Sequence, residues 1–144
     1  MTNSTALKFG YPGTKIAETD HWLVLLRPQQ PTYGALVLVC KDQATAFSDL
    51  SPAAFTDMKR AVDGIEALLR HTVAYERINY LMLMMVDPDV HFHVIPRYNG
   101  ERLYGTHTFK DVGWPGPPAL ASHVVLGEEE AAALAAELAA RWRS

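Results

Sequence analysis

The chain has 144 residues, of which 49% are apolar and 20% are charged, so its length and composition suit one soluble domain with a proper core and not two. The formal net charge of -3 supplies no positive field, which argues against a nucleic-acid backbone as a partner. With Cys40 as the single cysteine, an intrachain disulfide is impossible. The sequence shows no signal-peptide pattern and no apolar run near the ~20 residues of a membrane span, so we expect a cytoplasmic protein.

The first part of the chain predicts an arm followed by three strands. Residues 1–13 are polar and contain "GYPG", which favours an arm or a turn. "TKIAET" and "HWLVLLRP" predict two strands joined by a tight connection. After the turn "QQPTYG", the continuous apolar run "ALVLVC" predicts a central strand, in which Cys40 is a small buried hydrophobe.

A long amphipathic helix is predicted next. Ser51 followed by Pro52 is typical of a helix start, with serine as the N-cap and proline at the first helical position. The pattern predicts a helix that ends at about His71. Apolar residues recur along it at steps of three and four: Phe55, Met58, Val62, Ile65 and Leu69.

The second half of the chain predicts two strands, an irregular stretch and a final helix. "RINYLMLMMV" predicts a long apolar strand, which "DPD" interrupts before "VHFHVI" returns as its neighbour. Residues 99–127 have a weak pattern and are expected to be irregular, with "SHVVL" as a short strand. "GEEEAAALAAELAARWRS" predicts a helix, because its acids lie at the N-terminal end and its arginines at the C-terminal end.

This order predicts an α+β domain over residues 1–144, with an antiparallel sheet, one long helix and a C-terminal helix. Short turns rather than repeated crossover helices join the strands, which favours antiparallel pairing. The segment 89–98, "DVHFHVIPRY", contains the candidate functional side chains. Alternate residues of a strand share a face, so Asp89, His91 and His93 are expected on one side, facing an open groove beside the sheet.

The sequence "HFHVIPRY" resembles the motif of the histidine-triad (HIT) family of nucleotide hydrolases and transferases, in which three histidines alternate with apolar residues. Pro96-Arg97 matches the Pro-Arg that commonly follows the motif. Upstream, "HWLVLLRPQQPTYGALVLVCK" and "FSDLSPAAFTDM" are similar to the family's paired strands and to its entry into the long helix. The resemblance covers about residues 14–98, and the C-terminal part, 99–144, contributes little to it. It places His93 on the third histidine, His91 on the second and Asp89 on the first, so the triad is degenerate.

The resemblance implies that His91 is the nucleophile, attacking the α-phosphorus of a nucleotide to form a covalent nucleotidyl-histidine. It implies that His93 hydrogen-bonds phosphate oxygens or positions the nucleophile. Asp89 has three interpretations, which the sequence leaves open. Its carboxylate could hold a histidine in one tautomer, it could repel an incoming phosphate, or it could only be a residue of a solvated turn.

Four further residues are candidates for substrate binding. Arg97 is a candidate phosphate ligand, the alternative being a charge that ends the strand in solvent. Arg27 flanks a predicted strand, Asn79 is a candidate ribose contact and His107 is a candidate to reach the site from the irregular stretch. The motif demands no cofactor and no metal. The expected partners are a small-molecule nucleotide, such as a dinucleoside polyphosphate or a nucleoside phosphoramidate, and a second copy of the chain in a homodimer.

Two rival functions remain open at this point. The first is a nucleotide-binding protein of the same fold without catalysis, which the missing first histidine favours. The second is a metalloprotein of the His-x-His kind, with Asp89, His91 and His93 as ligands. Such sites usually add a carboxylate a few residues on, and the next acid here, Glu101, is a poor match.

Overall fold

The computed structural model describes residues 3–143 of the chain. Its helices are α1 (Ser4–Lys8), α2 (Pro52–Val73) and α3 (Glu128–Arg141), with a short 3₁₀ turn at Phe47–Asp49. Its strands are β1 (Lys15–Glu18), β2 (Trp22–Leu26), β3 (Gln29–Gln30), β4 (Leu36–Cys40), β5 (Arg77–Leu81), β6 (His91–Arg97), β7 (Glu101–Tyr104), β8 (His107–Lys110) and β9 (Val124–Val125).

Five of these strands form the main sheet, in the order β1-β2-β4-β6-β5, and all neighbours pair antiparallel. The α+β fold with an antiparallel sheet, a long helix and a C-terminal helix is confirmed. The apolar run that predicted a central strand is β4, between β2 and β6. Its register with β6 places Val39 opposite His91 and Val37 opposite His93.

The sheet has two different faces. One face carries the main core, in which side chains such as Trp22, Leu36 and Val94 pack with α2 and α3. The opposite face carries a second, smaller apolar cluster, formed by β2 and β4 together with the N-terminal segment. Its members are Ala6, Phe9, Leu23, Leu25, Val37 and Val39. The fold therefore covers the second face with only a few residues from the start of the chain.

Helix α2 begins as expected and extends slightly further. The Ser51 hydroxyl accepts a hydrogen bond from the main-chain N–H of Ala54. The helix ends at Val73, two residues beyond the expected end, and Ala74 closes it in the left-handed conformation (φ 55°). The buried face of α2 coincides only in part with the predicted apolar face: Ile65 and Leu69 are buried, whereas Phe55 is exposed.

The predicted ten-residue strand "RINYLMLMMV" is wrong beyond Leu81, where β5 ends. The chain turns at Met84, which adopts a positive φ of 49°, and the Met85 side chain is 87% exposed. The expectation of an irregular stretch over 99–127 also missed a hairpin, formed by β7 and β8. The short strand expected in "SHVVL" is β9, which pairs with β3.

Candidate active site

His91 and His93 lie on β6 with their rings on the same side of the sheet, as strand alternation predicts. The two ring centroids are 5.2 Å apart, and the ring planes meet at 80°. Both rings lie on the face that carries the smaller apolar cluster. Val94, by contrast, belongs to the main core on the other face. The imidazole pair thus stands beside an apolar strip made by β2 and β4.

The expectation that the pair faces an open groove is wrong for this structure. His91 is only 2% exposed and His93 only 6%. The N-terminal segment covers them, and we call residues 3–9 the N-terminal strap. The Phe9 ring lies edge-on to His93 at 5.6 Å and tilted to His91 at 6.3 Å, measured between centroids. Helix α1 of the strap was not predicted from the sequence, because five residues are too few to show a helical period. The one local signal for it is Asn3, whose side chain caps the helix.

The main chain of Asp89 orients His91. The Nδ1 atom of His91 lies 2.7 Å from the Asp89 carbonyl oxygen, which can only accept, so Nδ1 carries the proton and donates it. The Nε2 atom therefore holds the free lone pair. Among the described residues nothing hydrogen-bonds this nitrogen, which leaves it available to attack an electrophile.

The side chain of Asp89 does not bind a histidine ring; it binds the N-terminal strap. Its Oδ2 atom accepts hydrogen bonds from the Thr5 main-chain N–H (3.1 Å), the Thr5 hydroxyl (2.9 Å) and the Ser4 hydroxyl (3.2 Å). The interpretation of Asp89 as a carboxylate that holds a histidine tautomer is therefore corrected: its carbonyl holds the ring, and its carboxylate holds the strap.

His93 is kept neutral by its surroundings. Burial lowers the pKa of His93 to about 4, and the positive charge of Arg27 and the neighbouring His91 ring act in the same direction. Burial also lowers the pKa of Arg27. The Nδ1 atom of His93 and the Nε atom of Arg27 are both buried, and neither has a hydrogen-bond partner within residues 3–143.

Arg97 and Asn79 bind each other rather than the histidine pair. Arg97 is 4% exposed, so the alternative of a charge in solvent is wrong. Its guanidinium forms an ion pair with Asp111 (2.7 and 3.1 Å) and donates to the Asn79 Oδ1 (2.8 Å) and to the Gly116 carbonyl (2.8 Å). Four of its five N–H groups are thus used within the protein, and they hold the stretch around residues 111–116 against the sheet.

His107 does not reach the histidine pair, contrary to expectation. Its Nε2 atom lies 2.7 Å from the Glu130 carboxylate, in the first turn of α3. Its neighbour in β8, Phe109, belongs to the main core, on the helix side of the sheet. Of the four candidate substrate-binding residues, only Arg27 acts electrostatically on the histidine pair.

Within residues 3–143, no group of three or more His, Cys, Asp or Glu side chains is arranged to hold a metal ion. The Asp89 carboxylate, the third ligand in the metal interpretation, is engaged by Ser4 and Thr5. Cys40 is fully buried, and burial raises the pKa of its thiol to about 11, so it is a hydrophobic side chain and not a nucleophile. In the same range of residues, no helix has the length and apolar character needed to cross a bilayer.

Residues 9–100 match the HIT domain family. No curated protein matches the chain. A histidine triad protein of Sinorhizobium meliloti has a similar structure, with a TM-score of 0.72 at 21% identity, covering 96% of this chain and 93% of that one. A zinc-bound histidine triad protein of Mycobacterium smegmatis has a TM-score of 0.62 at 19% identity, covering 98% and 95%. The Plasmodium falciparum diadenosine triphosphate hydrolase has a TM-score of 0.67 at 10% identity, covering 90% and 76%. These likenesses establish the fold.

Proposed function

The chain belongs to the HIT domain family, and we propose that it is a nucleotide hydrolase that acts at the α-phosphate through a covalent nucleotidyl-histidine. The observation that carries this proposal is the hydrogen bond from His91 Nδ1 to the Asp89 carbonyl oxygen. It fixes the tautomer in which Nε2 is an unprotonated nucleophile. A dinucleoside polyphosphate or a nucleoside phosphoramidate is the proposed substrate.

The reaction has two steps. In the first, the Nε2 lone pair of His91 attacks the α-phosphorus, an N–P bond forms, and the bond from phosphorus to the leaving group breaks. The leaving group departs with the electron pair and takes up a proton. In the second, water attacks the same phosphorus and releases a proton to solvent, the N–P bond breaks with its electron pair returning to Nε2, and a nucleoside monophosphate leaves with His91 regenerated.

Two further groups support this chemistry. The positive charge of Arg27 acts on the His93 ring, so its guanidinium is placed to attract the phosphate of a nucleotide at this pair. A neutral His93 can give one ring N–H to an oxygen of the phosphoryl group. A guanidinium adds positive charge where negative charge develops in the transition state.

A second candidate function is nucleotide binding without turnover. It rests on Asp89, which stands at the position of the first histidine and adds a negative charge next to the site of an incoming phosphate. In either case we propose a small-molecule nucleotide as the ligand, no nucleic acid or membrane as a partner, and a cytoplasmic homodimer as the working form.

A substrate panel separates the two candidates. Dinucleoside polyphosphates and nucleoside phosphoramidates would be incubated with the wild type and with His91→Ala, and released mononucleotide would be measured by chromatography. We expect release by the wild type only. Equal release by the variant would refute the role of His91. Binding of the same compounds by calorimetry, with no release by either protein, would favour the second candidate.

A further inference from the structure

The face of the main sheet that carries the imidazole pair, called here the histidine face, continues past the pair to the other end of β6. Residues paired across two neighbouring strands share a face, and the register of β5 with β6 places Leu81 opposite His93 and Arg77 opposite Arg97. The side chains of Arg77, Asn79 and Arg97 therefore lie on the histidine face. His93 and Arg97 are four residues apart in β6, which is about 13 Å along an extended strand.

This end of the histidine face carries a pocket of about 520 Å³. Its size is within the range of about 300–1,000 Å³ that is typical of small-molecule sites. Strands β5 and β6 line it with Arg77, Asn79 and Arg97, and the stretch around residues 111–116 lines it with Trp114. The hydrogen bond from Arg97 to the Gly116 carbonyl (2.8 Å) holds that stretch against the sheet, so the pocket is preformed.

The polar atoms that the pocket leaves without a protein partner are donors. The guanidinium of Arg97 can only donate, so the Oδ1 atom of Asn79 faces it and the amide nitrogen of Asn79 is turned away. Within residues 3–143, neither this nitrogen nor the Nε1 atom of Trp114 has an acceptor, and neither atom is buried. In the same range, Arg77 forms no ion pair, and its guanidinium donates only to the Glu76 carbonyl.

We propose that this pocket is a subsite for the second nucleobase of a dinucleoside polyphosphate, the base of the leaving nucleotide. The inference rests on the proposed function, and it selects a dinucleoside polyphosphate rather than a nucleoside phosphoramidate as the substrate class. A nucleobase is a flat ring with acceptor atoms at its edge, so it can stack on the half-buried Trp114 indole and accept from the Asn79 amide. The guanidinium of Arg77 attracts the phosphates. With the α-phosphate at His91 and His93, the remaining phosphates and the second ribose span the distance along β6.

The test compares two substrates that differ in having a second base. Diadenosine tetraphosphate has one, and an adenosine phosphoramidate has none. Trp114→Leu removes the indole ring and keeps apolar bulk, and Arg77→Met removes the positive charge. Arg70→Met is the matched control, because Arg70 is also an exposed arginine but lies on α2, which packs on the other face of the sheet. Circular dichroism and thermal unfolding verify that each protein is folded.

The first measurement is the steady-state kcat and KM for each substrate. For diadenosine tetraphosphate, we expect Trp114→Leu to raise the KM by about fivefold or more with kcat unchanged, because a stacking contact is lost. The KM for the phosphoramidate should stay within about twofold of the wild-type value. Arg77→Met should raise the KM for diadenosine tetraphosphate by about threefold, and Arg70→Met should leave it unchanged.

Equal effects of Trp114→Leu on the two substrates, or no effect on diadenosine tetraphosphate, would overturn the subsite. If Trp114→Leu does not fold, Arg77→Met decides by the same criterion.

The second measurement is binding without turnover. Calorimetry with His91→Ala, alone and combined with Trp114→Leu, gives the Kd of each intact substrate. We expect the added substitution to raise the Kd of diadenosine tetraphosphate by about fivefold or more and to leave that of the phosphoramidate unchanged. If the wild type hydrolyses neither substrate and this difference is found, the subsite stands and the proposed hydrolase activity fails. If the wild type hydrolyses both and the difference is absent, the hydrolase stands and the subsite is overturned. Failure to bind diadenosine tetraphosphate would also overturn the subsite.

Discussion

The Nδ1 atom of His91 lies 2.7 Å from the carbonyl oxygen of Asp89, two residues earlier in the chain. This contact makes the orientation of the His91 ring a property of the backbone, independent of the side chain at position 89. A family position that carries a histidine in the complete triad can thus carry an aspartate here without loss of the tautomer that the proposed attack requires.

Asp89→Ala should therefore retain turnover at a level equal to or above that of the wild type. The main-chain carbonyl remains in place, while loss of the carboxylate removes both the acceptor of the Thr5 hydroxyl hydrogen bond and a negative charge near the proposed phosphate position. Steady-state kcat and KM provide the measurement. Asp63→Ala, which removes an exposed carboxylate paired with Lys59 on α2, is the control. A fall of more than about tenfold in kcat for the folded variant would restore Asp89 to a catalytic role.

His91 should carry a nucleoside monophosphate during turnover, because attack by imidazole on phosphorus passes through an N–P bond. Mass spectrometry of protein quenched in the steady state, at neutral or alkaline pH where the bond survives, would locate the adduct. His91→Ala should show none and should lose essentially all hydrolysis, and His93→Ala should slow turnover without moving the adduct. Full activity of His91→Ala would end the mechanism.

Stability should fall with acid below pH 6.5 because of His93. The folded state holds the pKa of His93 at about 4, so between pH 6.5 and 4 the unfolded chain binds a proton that the folded chain does not. The free energy of unfolding should therefore be highest above pH 6.5 and should lose up to about 3 kcal/mol by pH 4 through this group. Urea unfolding of the wild type and of His93→Gln at several pH values measures this effect: between pH 6.5 and pH 4 the free energy of unfolding of the wild type should fall by up to about 3 kcal/mol relative to that of the variant. Parallel curves would contradict the assignment.

Arg97→Met should destabilise the fold by about 3–5 kcal/mol, because it leaves the buried Asp111 carboxylate without its partner. The matched control is Arg77→Met. Arg77 lies directly opposite Arg97 in the register of β5 and β6 but is exposed, so its loss should change the free energy of unfolding by less than about 0.5 kcal/mol. Urea unfolding decides the comparison. If both substitutions change the free energy of unfolding equally and little, Arg97 would again be a candidate phosphate ligand.

We expect a homodimer in solution. The exposed apolar side chains Leu83, Met85 and Val86 follow the edge strand β5, and exposed apolar side chains of this size are typical of interfaces. Light scattering at micromolar concentration should give about twice the mass of the chain. A mass near 16.0 kDa would show that the protein is a monomer and would contradict the prediction.

Local patterns in the sequence were sufficient to predict most of the fold. Ser51-Pro52 and the apolar repeat after it predicted α2, and strand alternation predicted that His91 and His93 share a face, because capping and strand periodicity act between near neighbours in the chain. The family was predicted from a resemblance over about residues 14–98, which includes the motif from His91 to Arg97, and the family match to residues 9–100 confirms it. The run 82–86 was misread because its apolar composition favours a strand, whereas the turn at Met84 ends it.

Only the tertiary structure decided which partner each polar side chain of the site meets. Arg97 and Asp111 are 14 residues apart and Thr5 and Asp89 are 84 apart, and no spacing rule connects such positions. The same holds for the cover over the histidines, since Phe9 reaches them only because β2, β4 and β6 are neighbours in the sheet. The sequence by itself determined that two imidazoles lie side by side on one strand, and a backbone contact two residues away determines which nitrogen of His91 is free. Long-range packing determined that the two rings are buried and that Phe9, from the start of the chain, packs against them.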